Sequence, residues 1–287
     1  MKTDFQHIAI LGSGLLGGSL ALALAALKNP PKVCLWARKQ ETVTAAEKLG
    51  ITDVTCDLAK AVKGADLIVL AVPVGAMAAL IASALDAGLS DGCLITDVGS
   101  VKRVPHRKIS PLLQGREIHF IGSHPMAGSE RNGLSSVSVN LFKSAACLLT
   151  NDNRAPAGQA AALEAFWKAL GCRTSWMSAA VHDELVARIS HLPHLIAASA
   201  ARVCLKDPGE GRFGGGGLRD TTRVAAGNPT MWAEIVTENR EALTGLLQET
   251  IADLREILAS LENGNQEHAR QWLTTAKLRR DPLNSPQ

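Results

Sequence analysis

The densest chemistry in the chain lies near its middle, in Gly122-Ser123-His124-Pro125-Met126-Ala127-Gly128-Ser129-Glu130. This stretch offers a base, two hydroxyls, a carboxylate and a proline that fixes the backbone after the histidine. It follows an apolar run, Ile118 to Ile121, that reads as a buried strand. His124 is therefore expected just past a strand's carboxyl end, where open α/β sheets place their ligands. The same composition also describes an ordinary loop with a solvated histidine. A second polar cluster, Asp97-Val98-Gly99-Ser100-Val101-Lys102, follows the strand-like Cys93 to Thr96. With the apolar run Asp66 to Pro73, three successive strand ends would converge on one edge of a sheet, as a ligand site requires.

Two further constellations lie in the second half of the chain. In Ser190-His191-Leu192-Pro193-His194, Ser190 and His194 are four residues apart and share a helix face. His191 and His194 have a spacing that can ligate metal, but no third ligand of the right type is near in sequence, and no metal is expected. Leu218-Arg219-Asp220-Thr221-Thr222-Arg223 sets two guanidiniums about one helical turn apart after a glycine run. They read either as solvated arginines paired to Asp220 or as a docking point for a carboxylate.

The elements that would position these groups begin at the N-terminus. His7 to Leu11 is a short apolar run, and after Gly18 the sequence becomes helical; between them lies Gly12-Ser13-Gly14-Leu15-Leu16-Gly17. This matches the dinucleotide fingerprint: Gly12 for the tight turn, Gly14 for close approach of a pyrophosphate, Gly17 for helix packing on the strand. The pyrophosphate would meet the N–H groups of the helix start. After the second strand, Lys32 to Trp36, an NAD site usually offers an acid to the ribose, whereas this chain has Ala37-Arg38-Lys39. Two cations favour the 2′-phosphate of NADP over NAD. Val72 and Pro73, at the end of the next long apolar strand, are assigned to the same cofactor site.

Strand signals continue through Ala145 to Thr150 and Arg173 to Met177 and stop after Ser178. The fold class expected is an α/β Rossmann dinucleotide-binding domain, residues 1–178, followed by an all-helical substrate and dimerisation domain, residues 179–287. Helices are expected over Ala179 to Leu205, Leu218 to Ala226, Pro229 to Leu261 and Gln266 to about Leu278. The helix from Asn228-Pro229 is strongly periodic and would run roughly 45–50 Å, more than one small domain covers, so a homodimer is expected.

The bulk numbers exclude several classes. With 46% hydrophobic and 20% charged residues and a net charge of +3, the chain is an ordinary globular protein without a basic stripe, so no nucleic-acid partner is expected. No apolar run is long enough for a membrane span, so no membrane partner is expected either. The six cysteines form no Cys-x-x-Cys pair and read as buried thiols of a reducing, cytoplasmic compartment.

Taken together, Gly12 to Gly17, Asp97 to Lys102, Gly122 to Glu130, Ser190 to His194, and Gly217 to Arg223 through Asn228-Pro229 to Trp232 resemble the prephenate/arogenate dehydrogenase family of tyrosine biosynthesis. The resemblance implies oxidative decarboxylation of prephenate or arogenate with hydride transfer to NAD(P). It implies that His124 draws the proton from the substrate's ring hydroxyl, with Ser100 orienting that hydroxyl or His124 itself. Arg223 would hold a substrate carboxylate and Asp220 would brace the arginine, while Ser129, Glu130, Ser190 and His194 line the pocket. Another Rossmann-plus-helical dehydrogenase of the 3-hydroxyacid type usually depends on a lysine in the interdomain helix, and Ala179 to Cys204 contains none. A non-catalytic NADP-sensing protein would have no need for His124, Ser100 and Arg223 together.

Overall fold

A computed structural model describes residues 3–127 and 133–284. Contacts divide the chain into two units, Met1–Arg240 and Glu241–Gln287. The helices between residues 179 and 240 thus cluster with the sheets, although strand signals end near residue 178.

The first unit opens with β1 (His7–Leu11), α1 (Leu15–Ala25), β2 (Lys32–Trp36), α2 (Gln40–Lys48), β3 (Val54–Thr55), α3 (Leu58–Val62), β4 (Leu67–Leu70), α4 (Val74–Asp86), β5 (Leu94–Asp97), α5 (Arg103–Ile109) and β6 (His119–Phe120). All six strands pair in parallel, in the order β3-β2-β1-β4-β5-β6. The order reverses between β1 and β4, the place where such sheets open a ligand crevice. Helices cover both faces, so the strands are near-continuous apolar runs. Ile8 and Ile10 face one core with Leu20, Leu24 and Trp167. Ala9 and Leu11 face the other with Ile68, Leu70, Met77 and Ile81.

A second sheet of three strands follows, in the order β7-β8-β9: β7 (Gly122–Pro125), β8 (Ala146–Thr150) and, after α6 (Ala157–Ala169), β9 (Arg173–Trp176). β7 runs antiparallel to β8, with His124 opposite Leu148. His124 therefore lies inside a strand, not in a loop beyond one as its polar neighbours suggest. The chain leaves the first sheet at Ile121 and starts a new strand immediately. Only glycine fits at the crossing: a Cβ on Gly122 would meet Thr150 Oγ1 at 2.5 Å and Lys102 Cδ at 2.7 Å.

The expected helix from Ala179 to Leu205 is continuous but not uniform. It comprises α7 (Ala179–Val186), one π turn (Ala187–His191) and α8 (Leu192–Cys204). Pro193 sits in the first turn of α8; it has no N–H to donate and crowds the turn before it, and the helix widens there. α9 (Gly216–Thr222) continues as a 3₁₀ turn, Arg223–Ala226, ahead of α10 (Pro229–Glu238), which Asn228 caps by accepting from Met231 N.

The expected single helix from Pro229 to Leu261 is two. It breaks at Asn239, which is buried with φ −103° and ψ 20°, and Gly245 lies inside the next helix without ending it. Asn239 spends its amide on Asp183 O at 2.8 Å, a tertiary bond that a periodicity argument cannot see. α11 (Arg240–Glu262) and α12 (Gln266–Arg280) supply the second unit, joined by a turn at Gly264 with φ +60°. Trp272 Nε1 donates to Asp253 Oδ1 at 3.1 Å across this helical hairpin. Leu254, Leu258, Leu261, Leu273 and Leu278 stay exposed.

The cysteines do not all follow expectation. Cys93, Cys147 and Cys172 are buried, but Cys34 is only half-buried and Cys56 and Cys204 face solvent. None of the described helices is long and apolar enough to cross a membrane.

Candidate active site

The β1–α1 turn has the geometry that its glycines predict. Gly12 adopts φ +124°, and a Cβ there would strike Ala71 O at 2.3 Å; a Cβ on Gly17 would strike Gly12 O at 1.8 Å. A Cβ on Gly14 would meet nothing within 4 Å. Gly14 is the N-cap of α1 and brings no side-chain cap, so the first N–H groups of the helix are directed at an open approach. Ser13, Leu15 and Leu16 flank it half-buried. These residues fit a dinucleotide pyrophosphate. Gly12 N donates to Trp36 O at 3.1 Å, which fixes the end of β2 beside the turn. The exposed Arg38 and Lys39 follow directly. Half-buried Val72 and exposed Pro73 stand at the end of β4, on the other side of β1.

At the end of β5 the Asp97–Lys102 segment closes on itself. Asp97 and Lys102 form a fully buried ion pair, and Lys102 Nζ also donates to Gly99 O at 3.0 Å. Asp97 Oδ2 accepts from Gly99 N at 2.9 Å, and Oδ1 accepts from Ser123 N at 3.1 Å, joining this segment to β7. Ser123 Oγ in turn meets Thr96 Oγ1 at 2.7 Å and accepts from Trp167 Nε1 at 2.9 Å. Ser100, half-buried, lies between the two pinned ends.

His124 is next along β7 and almost fully buried. Its Nδ1 lies 2.9 Å from His182 Nε2, and His182 Nδ1 lies 2.8 Å from Asp183 Oδ1. Asp183 also receives Lys102 N at 2.7 Å on Oδ1 and Arg103 N at 2.9 Å on Oδ2, so it caps α5. Burial holds His124 well below the ordinary imidazole pKa, reinforced by His182, Lys102 and His191. Burial likewise lowers His182 despite its carboxylate neighbour. Burial would raise the Asp183 carboxyl, but the bond from His182 and the two backbone N–H groups hold it below its ordinary range.

His191 is brought down to about 4, chiefly by burial. Its Nδ1 lies 3.0 Å from Asn239 Nδ2. His194 stacks on Trp232, and burial lowers it too. Its Nδ1 is buried with no protein partner. His191 Nδ1 thus serves Asn239, while His194 is placed by the stack.

Ser190 lies half-buried in the π turn, and Asp220 and Arg223 are exposed on α9 and the turn after it. Ser129 and Glu130 lie outside the described residues. Sequence reasoning passed over His182, Asp183, Lys102, Trp232 and Asn239 as individual site residues. For His182 and Asp183 the visible signal was their adjacency, a base beside an acid. Glu234 adds another tie, accepting from Gly75 N at 2.5 Å at the start of α4.

Comparison with known proteins places this geometry among dehydrogenases. Residues 20–176 match the family model described as prephenate dehydrogenase, nucleotide-binding domain, and residues 178–275 match prephenate dehydrogenase, dimerization domain. The cyclohexadienyl dehydrogenase of Zymomonas mobilis is 37% identical over 265 residues, covering 90% of this chain and 89% of that protein. The crystal structure of Aquifex aeolicus prephenate dehydrogenase in complex with hydroxyphenyl propionate and NAD+ superposes with a TM-score of 0.89 at 27% identity, over 99% of this chain and all of that one. The Synechocystis arogenate dehydrogenase structure gives 0.79 at 30% identity, over 96% and 99%.

Proposed function

The chain belongs to the prephenate dehydrogenase family, and from that premise we propose that it oxidatively decarboxylates prephenate or arogenate, with NADP preferred over NAD as hydride acceptor. When bound, the nicotinamide supplies that acceptor. The observation that carries the reading is His124, a buried imidazole kept unprotonated at neutral pH, beside the β5 end of a sheet whose β1 turn fits a pyrophosphate. A neutral imidazole takes the proton of the ring hydroxyl as hydride departs from the same carbon, and loss of carbon dioxide leaves an aromatic ring.

Gly12, Ser13, Gly14, Leu15, Leu16 and Gly17 would hold the pyrophosphate, with Val72 and Pro73 beside them. Arg38 and Lys39, exposed at the end of β2, would meet a ribose 2′-phosphate. Ser100 would orient the ring hydroxyl or His124. Arg223 would hold a substrate carboxylate with Asp220 as its brace, and Ser190 and His194, with Ser129 and Glu130, would line the pocket.

Residues 1–178 form the cofactor domain in this reading, and residues 179–287 the substrate and dimerisation domain. Two copies would pair through the exposed leucines of α11 and α12. A monomeric mass in light scattering at micromolar protein would end the dimer assignment.

Initial-rate nicotinamide reduction, with prephenate and arogenate each offered against NADP and NAD, tests the whole. A marked kcat/KM preference for an NADP pair is the expected result. No reduction with any of the four pairs would remove the proposal.

A further inference from the structure

The side chains behind His124 constrain which of its nitrogens carries the proton. Asp183 accepts two backbone N–H groups, Lys102 N at 2.7 Å and Arg103 N at 2.9 Å. Such groups can only donate, so the Asp183 carboxylate is committed as an acceptor. His182 Nδ1, 2.8 Å from Asp183 Oδ1, must therefore carry a proton and donate it. A neutral imidazole has one N–H, so His182 Nε2 is left as a bare acceptor. The nitrogen facing it at 2.9 Å, His124 Nδ1, must then be the donor. The unprotonated nitrogen of His124 is Nε2.

We propose that His182 and Asp183 are positioning residues that lock His124 in its Nδ1–H tautomer and so present Nε2 as the base; this rests on the dehydrogenase reading above. In the step itself, the substrate hydroxyl proton goes to His124 Nε2. The electron pair of the broken O–H bond becomes the new carbonyl, and the hydride leaves the same carbon for the nicotinamide. The resulting imidazolium keeps its Nδ1–H donated to His182, which stays neutral, and the Asp183 carboxylate lies one ring further on to offset the charge. Both positioning residues are themselves fixed. Asn239 donates to Asp183 O at 2.8 Å, and among the described residues the Asp183 side chain's partners come from α7 or the Lys102–Arg103 junction. His182 is fully buried and cannot turn away to water.

Two variants of His182 separate this role from mere packing. His182→Gln puts an amide group near the place of Nε2 and can still offer an oxygen acceptor, whereas His182→Leu fills the space without one. With the purified full chain, His182→Leu should lower kcat on the order of 10²–10⁴-fold with KM within about threefold, and His182→Gln should recover to within about tenfold of the parent. The second readout needs no substrate. In 15N-histidine NMR spectra, with the His124 signal assigned by its loss in His124→Asn, the parent and His182→Gln should both show the Nδ1–H tautomer. An Nε2–H tautomer in the parent, or equal loss of kcat in the leucine and glutamine variants, overturns the proposal. If the parent reduces no nicotinamide with either substrate while the tautomers are as stated, it is the dehydrogenase reading that has failed.

Discussion

His194 lies flat on Trp232, with ring centroids 3.5 Å apart and planes 9° from parallel. Because α8 carries one ring and α10 the other, the stack sets the pitch between two helices and holds the imidazole in one orientation. Gly227 is fitted to it, since a Cβ there would meet Trp232 Nε1 at 2.5 Å and His194 Cε1 at 3.2 Å. Replacing Trp232 with alanine should raise KM severalfold with less than a tenfold change in kcat, and should cost about 1–2 kcal/mol of stability. Steady-state kinetics and urea unfolding read the two effects. An unchanged KM would remove His194 from the substrate pocket.

The Asp97–Lys102 pair is more consequential for stability. Both side chains are fully buried, and Lys102→Met would leave the Asp97 carboxylate with only N–H donors from Gly99 and Ser123. A loss of about 3–5 kcal/mol is expected. The double variant Asp97→Asn/Lys102→Met should cost less than the sum of the single ones, because it leaves no lone buried charge. Denaturant midpoints at a common m-value are the measurement.

His124→Asn removes the proposed base while keeping a polar group of similar reach. The expected fall in kcat is roughly 10²–10⁴-fold, with a smaller effect on KM. Little change in kcat would refute the assignment.

Arg38 is exposed directly after β2, where the proposed function puts the ribose 2′-phosphate. Arg38→Asp should reverse the cofactor preference, lowering kcat/KM for NADP and leaving or improving that for NAD. A retained NADP:NAD ratio would falsify the role of Arg38.

The buried histidines make stability depend on acid. Their folded pKa values lie below 6.5, so below that pH the unfolded chain binds more protons than the native one. Stability is therefore fully present above about pH 6.5 and declines as pH falls. The His191 share declines until about pH 4, at up to about 1.4 kcal/mol per pH unit. Thermal midpoints between pH 7.5 and 4.5 should fall accordingly, and replacing His191 with glutamine should flatten the slope.

Much of this was legible in the residues because it rests on local physics. The Gly12 turn and the apolar strands β1, β2, β4 and β5 follow from glycine's freedom and from periods of burial. What the sequence hides is set by partners far along the chain. Ser123 and His124 have no apolar alternation, so nothing local marks β7 as a strand; its pairing with β8 does. The helix break at Asn239 depends on a carbonyl 56 residues earlier. The roles of His182 and Asp183 are hidden because burial by Lys102 and β7 cannot be inferred from their own neighbours.

The π turn has a geometric consequence for the histidines on either side of it. In an uninterrupted α-helix, residues twelve positions apart stand about 120° out of phase, at about 100° per residue. A single π turn absorbs one residue without advancing the rotation of the rest. Between His182 and His194 the effective count becomes eleven steps, which leaves them only about 20° apart in phase. The partner of His124 and the stacked ring of His194 are thus brought onto one meridian of the same helix. Deleting one residue from Ala187–His191 would leave a plain α-helix with the same phase, whereas drawing the turn into α-helix at full length would rotate α8 by about 100° relative to α7, separating the two histidines without altering either.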